Sequence, residues 1–128
     1  MSVDGIFKAL SDPTRVRILK ILCLTDLPLP GGEIAKILDE HHYNISRHLK
    51  ILRKEGFVKV VEQERYVFCF IKSSDILHHV MSIIATKEPE LTFRDDVSRL
   101  SEYLLAPIAL MKKDGTIIID YIVRGRRA

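Results

Sequence analysis

The sequence predicts an α+β fold, mainly α-helical, in which two short helices lead directly into a β-hairpin. Three stretches carry that reading. Ser11-Asp12-Pro13-Thr14 is a helix start, with Asp12 as the cap and Pro13 where no backbone N–H is needed. Asn44 to Glu55 has helical periodicity and is stopped by Gly56. Phe57–Val61 and Tyr66–Ile71 are rich in aromatic and β-branched residues and read as paired strands.

In chain order, Val3 to Leu10 is a short helix with Ile6, Phe7 and Leu10 on one side. The helix from Thr14 to Leu24 is apolar on more than one side, through Val16, Ile18, Leu19, Ile21 and Leu22, so it is central. Leu27-Pro28-Leu29-Pro30-Gly31-Gly32 reads as a loop, since two prolines and two glycines disfavour regular structure. Glu33 to Leu38 restarts a helix with Ile34, Ile37 and Leu38 inward, and Asp39 to Tyr43 is the turn that follows.

On the next helix, taking Ile45 as zero and stepping 100° per residue, Leu49 falls near about 40° and Leu52 near about 340°. Arg47, Lys50 and Lys54 fall near about 200°, 140° and 180°, on the opposite side. One face is therefore apolar and the other cationic. His48 flanks the apolar stripe and reads as structural, and Ile51 is placed to pack under the hairpin. Two short helices joined by a tight turn form a helix-turn-helix. With the hairpin after it, tipped by Glu62-Gln63-Glu64-Arg65, the arrangement is a winged helix-turn-helix.

Charge follows the same geography. Residues 1–43 hold 5 Lys/Arg against 6 Asp/Glu, residues 44–72 hold 7 against 3, and residues 73–128 hold 8 against 8. The positive excess lies on the second helix and the hairpin, as a nucleic-acid footprint requires. No apolar run reaches the ~20 residues of a membrane span, and two cysteines are too few for a disulfide framework. A cytoplasmic location is the expectation. No Ser/His/Asp triad or Gly-rich phosphate loop is present in the sequence, so neither an enzyme nor a cofactor is expected.

Ala9-Leu10-Ser11-Asp12-Pro13-Thr14-Arg15, followed by Arg17-Ile18-Leu19, resembles the opening signature of ArsR/SmtB-type repressors. Ser46-Arg47-His48-Leu49-Lys50, with Leu52 and Gly56, resembles their recognition-helix signature. The resemblance covers residues 3 to about 72. It implies a homodimeric repressor that binds a pseudo-palindromic double-stranded operator and releases it when an effector arrives. It places the start of the recognition helix between His41 and Asn44. His42 and Asn44 then reach base edges, Arg47 and Lys50 take guanine or phosphate, and Ser46 takes a phosphate. Arg65 at the wing tip is the last candidate contact. Glu62 and Glu64 beside it repel phosphate, so the wing contact is expected to be weak.

Members of the family sense metals at two sites. The cysteine-pair positions of one fall on Pro30 and Gly32 here. The Asp, His, His and Glu positions of the other fall on Ser73, Asp75, Thr86 and Pro89, of which only Asp75 is a good ligand. Neither site is expected. His41-His42 and His78-His79 are adjacent pairs, and neighbours on a helix point about 100° apart and do not chelate together. Cys23 and Cys69 are candidates for a thiol sensor, or else two small buried apolar residues. Two alternatives therefore stand beside the DNA-binding repressor: a thiol- or metal-responsive repressor using Cys23/Cys69 or the histidines, and a winged helix that serves protein–protein assembly.

Residues 1–72 form the expected DNA-binding domain and residues 73–128 a dimerising and C-terminal extension. In the extension, Ser74 to Thr86 is a helix with a stripe of Ile76, Val80, Ile83 and Ile84. Glu90 to Ala106 is a helix ended by Pro107, and Lys112 to Gly115 a turn. Thr116 to Val123 is a strand that must pair with the wing, with its own copy in the dimer, or with a ligand-bearing surface.

Overall fold

A computed structural model describes residues 2–25, 27–72, 75–87 and 93–119. Helix α1 (Val3–Leu10) is capped by Ser2, and α2 (Pro13–Cys23) by Asp12, whose carboxylate accepts from the Thr14 N–H at 2.8 Å. Ile18, Leu19, Ile21 and Leu22 make α2 the buried axis. Two arginines near its start each close the C-terminal end of another helix, where the last carbonyls lack intrahelical donors. Arg15 donates to the Lys8 and Ala9 carbonyls at the end of α1, at 2.9 and 3.0 Å. Arg17 donates to the Leu38 carbonyl at the end of α3 (Gly31–Leu38).

The stretch expected to be a loop is partly regular. Leu29–Pro30 forms strand β1, paired with Cys69 and Phe68, and α3 begins at Gly31 rather than Glu33. Pro30 fits because β1 is an edge strand. Gly31 and Gly32 fit because they occupy only the first turn, while Ile34, Ile37 and Leu38 anchor the helix in the core. After the left-handed Asp39 (φ 52°), α4 runs from His42 to Lys54. It starts two residues before the periodicity places it. Gly56 follows in the left-handed region at φ 84°, as the stop signal requires.

Strands β2 (Val58–Gln63) and β3 (Tyr66–Ile71) are joined by two residues, Glu64 and Arg65. The tip is thus shorter than Glu62–Arg65, with Glu62 and Gln63 in the ladder. Both turn residues have positive φ, 50° and 71°, the geometry that matches hairpin twist. The three-stranded sheet has the order β1-β3-β2.

Helix α5 (Asp75–Lys87) buries Leu77 and Met81, and α6 (Arg94–Leu104) buries Leu100 and Tyr103. Strand β5 (Ile117–Ile119) has a partner within the chain that the sequence did not suggest. It folds back on β4 (Ala109–Met111), around a turn in which Gly115 has φ 88°. The periodicity of Ala-Leu-Met is too short to announce a strand. The pair persists because Ile108, Ala109 and Ile117 enter the same core cluster as α2 and α3. Gln63 Nε2 also donates to the Ile117 carbonyl at 3.0 Å, tying the hairpin to the wing. Ser73, Ser74, Pro89, the expected helix start at Glu90, strand residues 120–123 and the arginines at 124, 126 and 127 lie outside the described residues. Among the described residues, no helix is long and apolar enough to cross a membrane.

Candidate nucleic-acid interface

Helix α4 turns Ile45, His48, Leu49 and Leu52 inward. His42, Arg47, Lys50, Arg53 and Lys54 are exposed, and Ser46 is half-buried at the helix start. Between α4 and the wing lies an open groove of about 260 Å³. Ile45, Leu49 and Cys69 contribute to its walls, with Lys50 and Arg53 as the cations, His42 among the polar lining and Glu62 as the carboxylate. Ile51 is half-buried. Of the candidate contacts, His42, Ser46 and Lys50 line this groove, Asn44 and Arg47 pair with each other on α4 outside its lining, and Arg65 stands exposed at the far end of the wing.

Asn44 is already engaged. Its Oδ1 accepts from Arg47 Nη2 at 2.9 Å, and its Nδ2 lies 3.5 Å from Glu40 Oε2. Tyr43 was not among the sequence candidates, yet it is 78% exposed in the first turn of α4. Its ring stacks on His41, with centroids 5.4 Å apart, and meets His42 edge-on at 6.1 Å. Assigning Tyr43 to the turn hid it. A helix start at His42, capped by the His41 side chain at 3.2 Å from the Tyr43 N–H, puts this aromatic beside the candidate base-reading positions.

His48 is structural. It is 3% exposed, and its Nδ1 lies 3.0 Å from Arg15 Nη1. A guanidinium only donates, so Nδ1 is the acceptor and the ring proton is on Nε2, 3.7 Å from Asp12 Oδ1. Burial pushes the His48 pKa below its ordinary value, and Arg15 and Arg47 push it the same way against Asp12. Asp12 is pushed up by burial, but the Thr14 N–H and the His48 and Arg15 charges more than offset this and hold it below the usual carboxylate range.

Cys69 is buried in β3, and burial pushes its thiol up to about 11; Cys23, half-buried, is raised for the same reason. Raised thiols hold little thiolate and react slowly. Pro30 caps α3 and Gly32 sits in its first turn, so neither offers a side-chain donor. Among the described residues, no group of three or more His, Cys, Asp and Glu could hold a metal ion.

A family model described as a helix-turn-helix domain matches residues 10–61. The cadmium resistance transcriptional regulatory protein CadC of Listeria innocua is 39% identical over 77 residues, which are 60% of this chain and 64% of that protein. An HTH-type transcriptional regulator of Methanocaldococcus jannaschii is 41% identical over 71 residues, covering 52% of this chain and 73% of its own length. Among solved structures, an ArsR family transcriptional regulator superposes with a TM-score of 0.52 at 28% identity, covering 70% of this chain and 88% of its own.

Proposed function

The chain belongs to the ArsR/SmtB family of winged helix-turn-helix transcriptional regulators, and from that premise we propose that it is a homodimeric, sequence-specific DNA-binding repressor whose signal is not taken at the family's two metal sites. The observation that carries the reading is the outward face of α4. Arg47, Lys50 and Lys54 are exposed there, opposite a fully packed apolar face. Such a helix fits the major groove with its first turns on base edges. His42, Asn44, Ser46, Arg47 and Lys50 are the proposed contacts, with Tyr43 added. Arg65 supplies a wing contact that Glu62 weakens.

The proposed partner for the opposite end is a second copy of the chain. Phe7 on α1 is 71% exposed and Ile83 on α5 is 60% exposed. Leu10 of α1, Val16 of α2 and Val80, Ile83 and Ile84 of α5 line a groove where these three helices meet. Two-fold pairing there presents two α4 helices to half-sites about one helical turn apart. Residues 1–72 serve as the DNA-binding part and residues 73–128 as the dimerising helix with its cover.

The CadC relatives are named for cadmium resistance, and this chain spans 64% of the length of those of Listeria innocua and Lactococcus lactis. The donor set here does not fit such an ion. Pro30 and Gly32 carry no ligand, and Asp75 is the one good donor type in the second set. The raised thiols of Cys23 and Cys69 support their reading as apolar filler.

The test is a titration of the purified protein against a duplex of its own promoter region and a random duplex, at two salt concentrations. Tight, steeply salt-dependent and promoter-selective binding is expected. Phe7→Glu with Ile83→Glu should give a monomer with weakened promoter binding. Equal, weak binding to both duplexes would sink the repressor reading and favour a protein-docking winged helix. Release by cadmium or zinc would sink the metal-insensitive part of it.

A further inference from the structure

We infer that Asp96 is a positioning residue, through which α6 sets the angle at which α4 meets DNA; the inference rests on α4 being the DNA-reading helix. The C-terminal end of α3 carries partial negative charge on carbonyls that lack helical donors. Two guanidinium groups reach those carbonyls from other helices, Arg17 of α2 on Leu38 O and Arg99 of α6 on Ile37 O. Asp96 holds both arginines. Its oxygens accept from Arg17 Nε at 2.8 Å and Nη2 at 2.9 Å, and from Arg99 Nη2 at 3.1 Å. It is 3% exposed.

The cluster continues toward the interface. Arg17 Nη1 donates to Glu40 Oε1 at 2.9 Å, in the turn between α3 and α4. Glu40 Oε2 faces Asn44 Nδ2 at 3.5 Å, the loosest link, and Asn44 Oδ1 accepts from Arg47 Nη2 at 2.9 Å. Two arginines are thus balanced by two carboxylates, and one end of the balanced set touches the proposed base-reading side chains.

This is more than adhesion. Leu100 and Tyr103 already hold α6 to the core by apolar burial. Buried ion pairs add little net stability, because desolvation offsets their attraction. A bidentate guanidinium–carboxylate pair, however, fixes relative orientation. The orientation fixed here is that of the α3 end and the turn, hence the exit angle of α4. Arg94 to Leu104 lies outside the residues matched by the helix-turn-helix family model, while Arg17 and Glu40 lie within them.

The test uses the full chain and three variants, Asp96→Asn, Glu40→Gln and the pair. Binding to the promoter-region duplex and to the random duplex is measured at one salt, with backbone amide exchange of residues 39–44. Asp96→Asn should weaken promoter binding roughly tenfold, within the range of coupling energies carried by such networks. Random-duplex binding should change less than about twofold, since the phosphate-neutralising charges are untouched. Glu40→Gln should act in the same direction but less, and the pair should be no worse than Asp96→Asn, as members of one network are non-additive. Amide exchange at 39–44 should speed up while that of 15–22 stays as in the wild type. An equal loss on both duplexes, or additive effects, would overturn the inference. If Asp96→Asn does not fold, Glu40→Gln decides by the same criteria. If the wild type binds no DNA, the repressor reading fails; unchanged exchange at 39–44 then overturns the clamp, and faster exchange supports it.

Discussion

On α4, Arg47, Lys50 and Lys54 are exposed, and the stretch from 44 to 72 holds 7 cations against 3 anions. On α6, Asp96 is buried between Arg17 and Arg99, and the chain from 73 onward holds 8 against 8. The first region keeps its charge in water, where it adds almost nothing to stability but is available to a polyanion. The second turns one carboxylate inward, Asp96, and that carboxylate and the Arg17 and Arg99 groups on it depend on one another. Removing an exposed charge of α4 should therefore affect binding alone, whereas removing Asp96 should affect folding as well.

The largest effect follows from the inward charge. Asp96→Ala leaves Arg17 and Arg99 without their shared carboxylate; because both guanidinium groups are partly exposed and Arg17 keeps Glu40, the cost is about 3 kcal/mol, the low end for breaking a buried pair. The Asp96 hydrogen bond from Arg17 lifts the Arg17 pKa against burial, with Glu40 adding to it, which is the same dependence seen from the other partner. The thermal midpoint should fall by roughly 10 °C or more. Calorimetry of Asp96→Ala beside Arg47→Ala tests the contrast directly, because the latter should stay within about 0.5 kcal/mol of wild type. Similar losses in both would break it.

Next in size is the outward charge. Arg47→Ala should weaken promoter binding by roughly 1–3 kcal/mol if its guanidinium reads a base. Lys50→Ala, if it takes a phosphate, should lower affinity on all sequences alike and reduce the salt slope by about 1. Fluorescence anisotropy at several salt concentrations separates the two. Equal slopes in both variants and wild type would remove Lys50 from the phosphate contacts.

The wing gives a smaller effect, with opposite signs in the two readouts. Glu64 and Arg65 both hold positive φ without glycine, a conformation that costs roughly 1–2 kcal/mol per residue. Glu64→Asn with Arg65→Gly supplies the residues that this turn favours. Stability should rise by about 1 kcal/mol. DNA affinity should fall by less than in Arg47→Ala, because the loss of the Arg65 cation is partly offset by the loss of the Glu64 carboxylate beside it. A gain in affinity would show that Glu64 repels DNA more than Arg65 attracts it.

The two regions also differed in how far they could be read from the residues. The helix-turn-helix is written in local signals: Asp12 before Pro13, the apolar stripe of Ile45, Leu49 and Leu52, Gly56 at the stop, and the aromatic and β-branched run Tyr66–Ile71. Each acts over a few residues, and each reappears in the fold. What was missed depends on distance along the chain. Leu29–Pro30 becomes a strand only because β3, far along the sequence, offers an edge to it. Arg17 and Asp96 are 79 residues apart, and nothing in either segment marks the other. The β4 partner of Ile117–Ile119 is three residues long, below the length at which alternation is visible. At the candidate site, Arg47 and Lys50 were legible from periodicity. Tyr43 was not, because its exposure depends on where the helix begins.

The smallest effect concerns His48, whose ring joins the two faces of this comparison: it sits on α4 but points into the core. Its Nδ1 accepts from Arg15, and Arg15 also closes the end of α1. Protonation would aim an N–H at a guanidinium and place a positive charge in a buried site, so burial and Arg15 hold the folded pKa below the ordinary 6.5. The unfolded chain then binds a proton that the folded chain refuses. Between the folded value and about 6.5, stability rises with pH. The contribution is complete above about 6.5 and is lost as pH falls below it. The Asp12 carboxylate, also depressed, acts in the same sense but only near its own ordinary value of 3.8, so the two windows are separate. Thermal midpoints at about pH 7.5 and about pH 5.5, either side of the histidine's ordinary range, should drop in the wild type. They should drop less in His48→Asn, whose amide oxygen keeps an acceptor for Arg15 and has no proton to gain. The same drop in both proteins would move the titration to another group and leave His48 as packing only.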